Sequence, residues 1–142
     1  MKLGASPLSV LMVLTGAAAL ALLVVKPAAA QPKGTVRPFE QLAPQAQQGI
    51  QILTTCSAAF SLFAQRVAKD PTIAQHYAVS SSNLLKMAAQ TVGLQVAKQM
   101  ATHSHEAILR QAETDAPPGL TIAAATQSCN DIVRSTFIDF FK

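Results

Sequence analysis

Between Pro44 and Phe141 only Asp70-Pro71, Gly93 and Pro117-Pro118-Gly119 interrupt the chain strongly. Proline has no amide hydrogen to give a helix, and glycine is the residue that most easily leaves one, so each of these places marks an end. The segments between them are rich in Ala, Gln, Leu and Lys, alternate nowhere, and contain no Asn-Gly or Asp-Gly turn. Strands are therefore not expected, and the chain reads as all-α.

Each segment carries one apolar stripe. In the first, Ile52, Leu53, Cys56, Phe60, Phe63, Ala64 and Val67 fall within about 120° at 100° per residue. Gln51, Thr54, Thr55, Gln65, Arg66 and Lys69 take the other side, and Leu62 falls among them. Asp70 suits an N-cap and Pro71 the first helical position, so a second helix starts there, with Ile73, Tyr77, Ser80, Leu84, Met87, Ala88 and Thr91 along its stripe.

Only Gly93 interrupts the run from Pro71 to Asp115, and a single helix of that span would be roughly 67 Å long. A domain of this size cannot bury such a rod, so the reading breaks it at Gly93; Ser80-Ser81-Ser82-Asn83 is the rival break point. The third stripe is Val96, Ala97, Met100, Ala101, Ala107, Ile108 and Ala112, and the fourth, after Gly119, is Ile122, Ala125, Cys129, Ile132, Val133, Thr136 and Phe140. Helices of similar length with short links predict a small up-down-up-down four-helix bundle.

The two cysteines, Cys56 and Cys129, lie near the middle of the first and last stripes, which that topology makes neighbours. One disulfide closing the bundle between its first and last helices is the expected pairing, and it calls for an oxidising compartment.

The N-terminus points the same way. Lys2 precedes an apolar run of 18 residues, Leu8 to Val25, which is followed by Lys26-Pro27 and Ala28-Ala29-Ala30-Gln31. A basic start, an apolar middle and small residues at −3 and −1 make a secretion signal over residues 1–30, cleaved near Ala30-Gln31. The alternative is an uncleaved anchor in the inner membrane, since the run exceeds the ~7–15 residues usual for a cleaved signal. Residues 31–43, with Pro32, Gly34 and Pro38, read as a flexible proline-containing arm, and residues 44–142 as the helical domain.

The formal charge of +4 falls to near +2 for a chain beginning at Gln31, where nine Lys or Arg face seven Asp or Glu spread along the sequence. No basic stripe forms, so a nucleic-acid partner is not expected. The six glycines are never closer than 12 positions apart, which excludes the phosphate-cradling loops. Cys-x-x-Cys, His-Glu-x-x-His and the Gly-x-Ser-x-Gly elbow are missing as well, and no paired carboxylates suggest acid–base work.

His103-Ser104-His105-Glu106 is the one local cluster of metal-ligating types, with His76 as a partner across helices. Residues two apart on a helix point about 160° from each other, whereas chelation on one face needs a spacing of three or four. His76, His103 and His105 are thus weak metal candidates, better read as boundary histidines, and no cofactor is expected. Leu62, Ile138 and Phe141 lie off their stripes and form the expected surface patch.

The expected function is that of an exported, periplasmic or secreted helical protein, not an enzyme, with a binding or structural role toward an envelope or secreted protein partner or client. The alternatives are a carrier holding haem, a metal or a lipid in the bundle core through His76, His103, Met87 or Met100, and a membrane-tethered accessory protein, with the membrane a partner only if the N-terminal segment stays uncleaved.

Overall fold

The computed structural model of the protein describes residues 35–136. The 1–30 segment and the last six residues, with Ile138 and Phe141, lie outside the described residues. A 3-10 turn at Phe39–Gln41 leads into four helices, α1 (Pro44–Arg66), α2 (Pro71–Val92), α3 (Leu94–Ala112) and α4 (Leu120–Thr136), and the described residues contain no strand. Successive helices run up, down, up and down and close into one bundle, as the breakers predict.

The helix ends follow local chemistry. Pro44 and Pro71 open α1 and α2 at positions where an amide hydrogen has no partner to lose. Asp70 Oδ1 accepts the Ile73 amide at 3.1 Å and caps α2. Gly93 ends α2 and starts α3 by itself: its N–H donates to Ala89 O at 2.9 Å, and its carbonyl accepts from Ala97 N at 3.0 Å. Its φ of 88° and ψ of 155° lie in a region essentially reserved for glycine, and a β-carbon there would meet Val36 Cγ1 at 3.2 Å. The rival break at Ser80 to Asn83 does not occur, because α2 runs through it unbroken.

α1 is the centre of the bundle, in contact with each of the other three helices, while α2 and α4 meet least. Between Cys56 and Ala64 it has no exposed residue. A helix that is covered all round needs apolar or internally satisfied residues on every side. Thr54, expected on the polar side, is buried instead, its hydroxyl donating to Ile50 O at 2.9 Å in its own helix. Leu62, expected on the surface, is 4 % exposed. That expectation fails because a stripe about 120° wide assumes one neighbouring surface, and α1 has three neighbours.

Consecutive residues 100° apart make the point directly. Thr55 Oγ1 lies 3.1 Å from Ser104 Oγ on α3, Cys56 is bonded to Cys129 on α4, and Ser57 Oγ donates to Ser81 O on α2 at 2.9 Å. Ser81 Oγ donates back to Ser57 O at 2.7 Å. This reciprocal pair is where the serine-rich stretch of α2 goes: small hydroxylated residues let α1 and α2 approach closely, with every polar atom partnered. No buried side-chain polar atom among the described residues lacks a hydrogen bond.

The flexible arm expected over residues 31–43 is held from Arg37 onward. Arg37 N donates to Thr91 O at 2.9 Å, Gln47 Nε2 to Phe39 O at 3.1 Å, and Leu42 is buried at the rim of the core. Prolines deny this segment a regular helix but not a fixed path, because its apolar Phe39 and Leu42 find the bundle.

Candidate functional site

The cysteine pair stands where the stripes place it. Cys56 and Cys129 are bonded, with Cα atoms 5.4 Å apart and 73 positions between them in sequence, and each is almost fully buried. A buried bond at the centre of the bundle is a staple, shielded from attacking thiolates.

The three histidines do not come together as a site. His76 and His103 are exposed and His105 is half-buried, and among the described residues no three His, Cys, Asp or Glu side chains are grouped to hold a metal ion. His76 instead meets the edge of Tyr77, with ring centroids 5.4 Å apart. Tyr77 also packs edge-on against Phe60 and Phe63, and its hydroxyl accepts from Asn130 Nδ2 at 3.0 Å, which ties α1, α2 and α4 into one aromatic cluster. Met87 is buried and Met100 half-buried against the core.

Of the expected surface patch, Leu62 alone falls among the described residues. Leu62 is inside, while Ile138 and Phe141 lie outside the described residues. Among the described residues the exposed large apolar ones are Val36, Ile73, Val79, Leu94, Leu109 and Leu120, and all but Val79 sit at the two ends of the bundle. Val36 and Leu94 flank Gly93 at the end where α1 begins. Ile73, Leu109 and Leu120 belong to the opposite end, in the first turn of α2, the last turns of α3 and the start of α4. Ile73 is 43 % exposed although it lies on the α2 stripe, because its turn stands at the end of the bundle, where the core runs out. Leu94 and Leu120 each follow directly on a helix-breaking glycine, a signal legible in the sequence that the stripes pass over.

That second end is braced. Asp115 accepts the Thr121 amide at 2.7 Å and the Thr121 hydroxyl as well, which caps α4 from across the loop. Arg66 Nη2 donates to Pro118 O at 3.4 Å, and its guanidinium lies so close over Gly119 (φ 88°) that any β-carbon would collide with it. The Thr121 hydroxyl, then its amide, and then the nearby Arg66 charge hold the Asp115 carboxyl below the usual carboxylate range against the opposing effect of burial.

A lowered folded-state pKa means that the carboxylate stabilises the protein above its unfolded pKa, about 3.9, and that this contribution disappears as pH falls through the folded value. Asp115→Asn is therefore expected to be less stable than the native chain at neutral pH and equal to it in strong acid. Urea midpoints measured across pH check this, and a gap that persists unchanged in acid would refute it.

Comparison with protein families, with curated proteins and with solved structures finds no match to this chain.

Proposed function

We propose that this is a small exported helical protein that works by binding rather than catalysis, with another envelope protein or an unfolded client as its partner. The observation that carries the reading is the braced end of the bundle. There Ile73, Leu109 and Leu120 stand 43 %, 41 % and 55 % exposed around a loop fixed by Asp115 and Arg66. Apolar side chains on a rigid frame bind at low entropic cost, since little has to be ordered on contact. Export is supported by the Cys56–Cys129 bond, which favours an oxidising compartment, and by the signal-like residues 1–30.

The test is cross-linking in an envelope extract, comparing the native chain with an Ile73→Ser, Leu120→Ser variant. Both positions are exposed, so the fold is kept, as a thermal melt verifies. Loss of a specific cross-linked protein is the expected result. Identical cross-linked sets would remove the braced end from the binding reading.

A further inference from the structure

We propose that the end of the bundle built around Gly93 rests on an anionic lipid surface. Three independent observations converge there. The first is apolar exposure: Val36 and Leu94 are each 50 % exposed, and Val36 lies across Gly93, so the two flank one short turn.

The second is where the rest of the chain departs. Residue 35 leaves the bundle beside Thr91 and Gly93, and the apolar run ending at Val25 lies only nine residues upstream of Thr35. That spacer reaches at most about 30 Å. Because the arm is held from Arg37 onward, no further slack is available. α4 runs back to the same end: Thr136 lies about 10 Å beyond Cys129 along the axis, against about 18 Å from Cys56 to Pro44 on α1. The six residues that follow include Phe137, Ile138, Phe140 and Phe141 and close on Lys142. Both segments outside the described residues, each carrying apolar side chains suited to a bilayer interface, thus issue from one end.

The third is charge. Among the described residues, the half of the bundle on the Gly93 side of the Cys56–Cys129 bond and of the Ser57–Ser81 and Thr55–Ser104 contacts holds Arg37, Lys86, Lys98 and Arg134 against Glu40 and Asp131. In sequence the charges look scattered, but the opposite half holds Arg66, Lys69 and Arg110 against Asp70, Glu106, Glu113 and Asp115, so among the described residues the fold leaves the basic excess on the Gly93 side. Clustered lysine and arginine beside apolar side chains are what an anionic bilayer attracts. The opposite pole, with Ile73, Leu109 and Leu120, then faces away from the membrane toward a partner.

The test asks which end meets lipid, so it works on the whole chain and on the chain beginning at Gln31, which keeps every described residue, the core and the disulfide. A polarity-sensitive fluorophore is attached through Leu94→Cys or, separately, through Leu120→Cys. Vesicles of phosphatidylglycerol and phosphatidylcholine in equal parts are added, with and without a nitroxide-bearing lipid. Blue-shifted emission and nitroxide quenching at position 94, with neither at position 120, is the expected result. If Leu94→Cys folds poorly, the exposed neighbour Gln95 takes the label.

In the chain beginning at Gln31, Arg37→Glu weakens vesicle binding by about tenfold or more, because it reverses one charge at that pole. Unchanged emission at position 94, or an equal change at both positions, overturns the proposal. So does a blue shift at position 94 that appears without vesicles and grows with protein concentration, which would mean that a second copy of the chain covers this end.

Discussion

Breaking the Cys56–Cys129 bond lowers the thermal midpoint by about 15 to 30 °C. The bond closes a loop of 73 residues. Removing that constraint frees the unfolded chain by about 4 kcal/mol in the chain-entropy picture. For a domain of this size each kcal/mol moves the midpoint by about 4 to 8 °C. Cys56→Ala, Cys129→Ala and the double variant are expected to lose nearly the same amount, because any one of them already removes the single shared bond. Thermal melts followed by circular dichroism, with and without reductant, measure it directly. If the double variant loses the sum of the two single losses, two separate packing defects are being read instead of one bond.

Leu62→Ala costs about 3 kcal/mol, within the 2 to 5 usual for truncating a buried leucine. The residue is 4 % exposed on the central helix, so the methyl groups removed leave a void that three neighbouring helices cannot easily close. Leu109→Ala provides the control: at 41 % exposure it should change stability by no more than about 0.5 kcal/mol. Urea unfolding of the two variants side by side decides the matter. A cost for Leu62→Ala as small as that of the control would return Leu62 to the surface, where its place off the sequence stripe puts it.

Leu62 also marks the boundary of what can be read without tertiary structure. The starts of α2, α3 and α4 follow from Asp70-Pro71, Gly93 and Pro117-Pro118-Gly119, because a missing amide hydrogen, a cap or a positive φ acts within a turn of its own residue. The pairing of Cys56 with Cys129 was legible for a related reason: stripe position and helix order together leave only one geometry. The exposed apolar surfaces were less legible. Ile73 looks like core because its spacing is right, and only its place at the end of the bundle exposes it.

The sequence by itself determined the helix class, the starts of α2 and α4 and the bonded cysteine pair, since these depend on local dihedral preferences and on one short list of partners. Tertiary structure alone decided that α1 is enclosed on all sides, that Ser80 to Asn83 stays helical through the Ser57–Ser81 exchange, and that the arm is held from Arg37. It also decided that, among the described residues, basic side chains outnumber acidic ones on the Gly93 side of the bundle. The physical reason is the same in each case: burial and electrostatic potential are sums over neighbours distant in sequence, and the number of neighbours around a helix is set by how the helices stack, not by the pattern along any one of them.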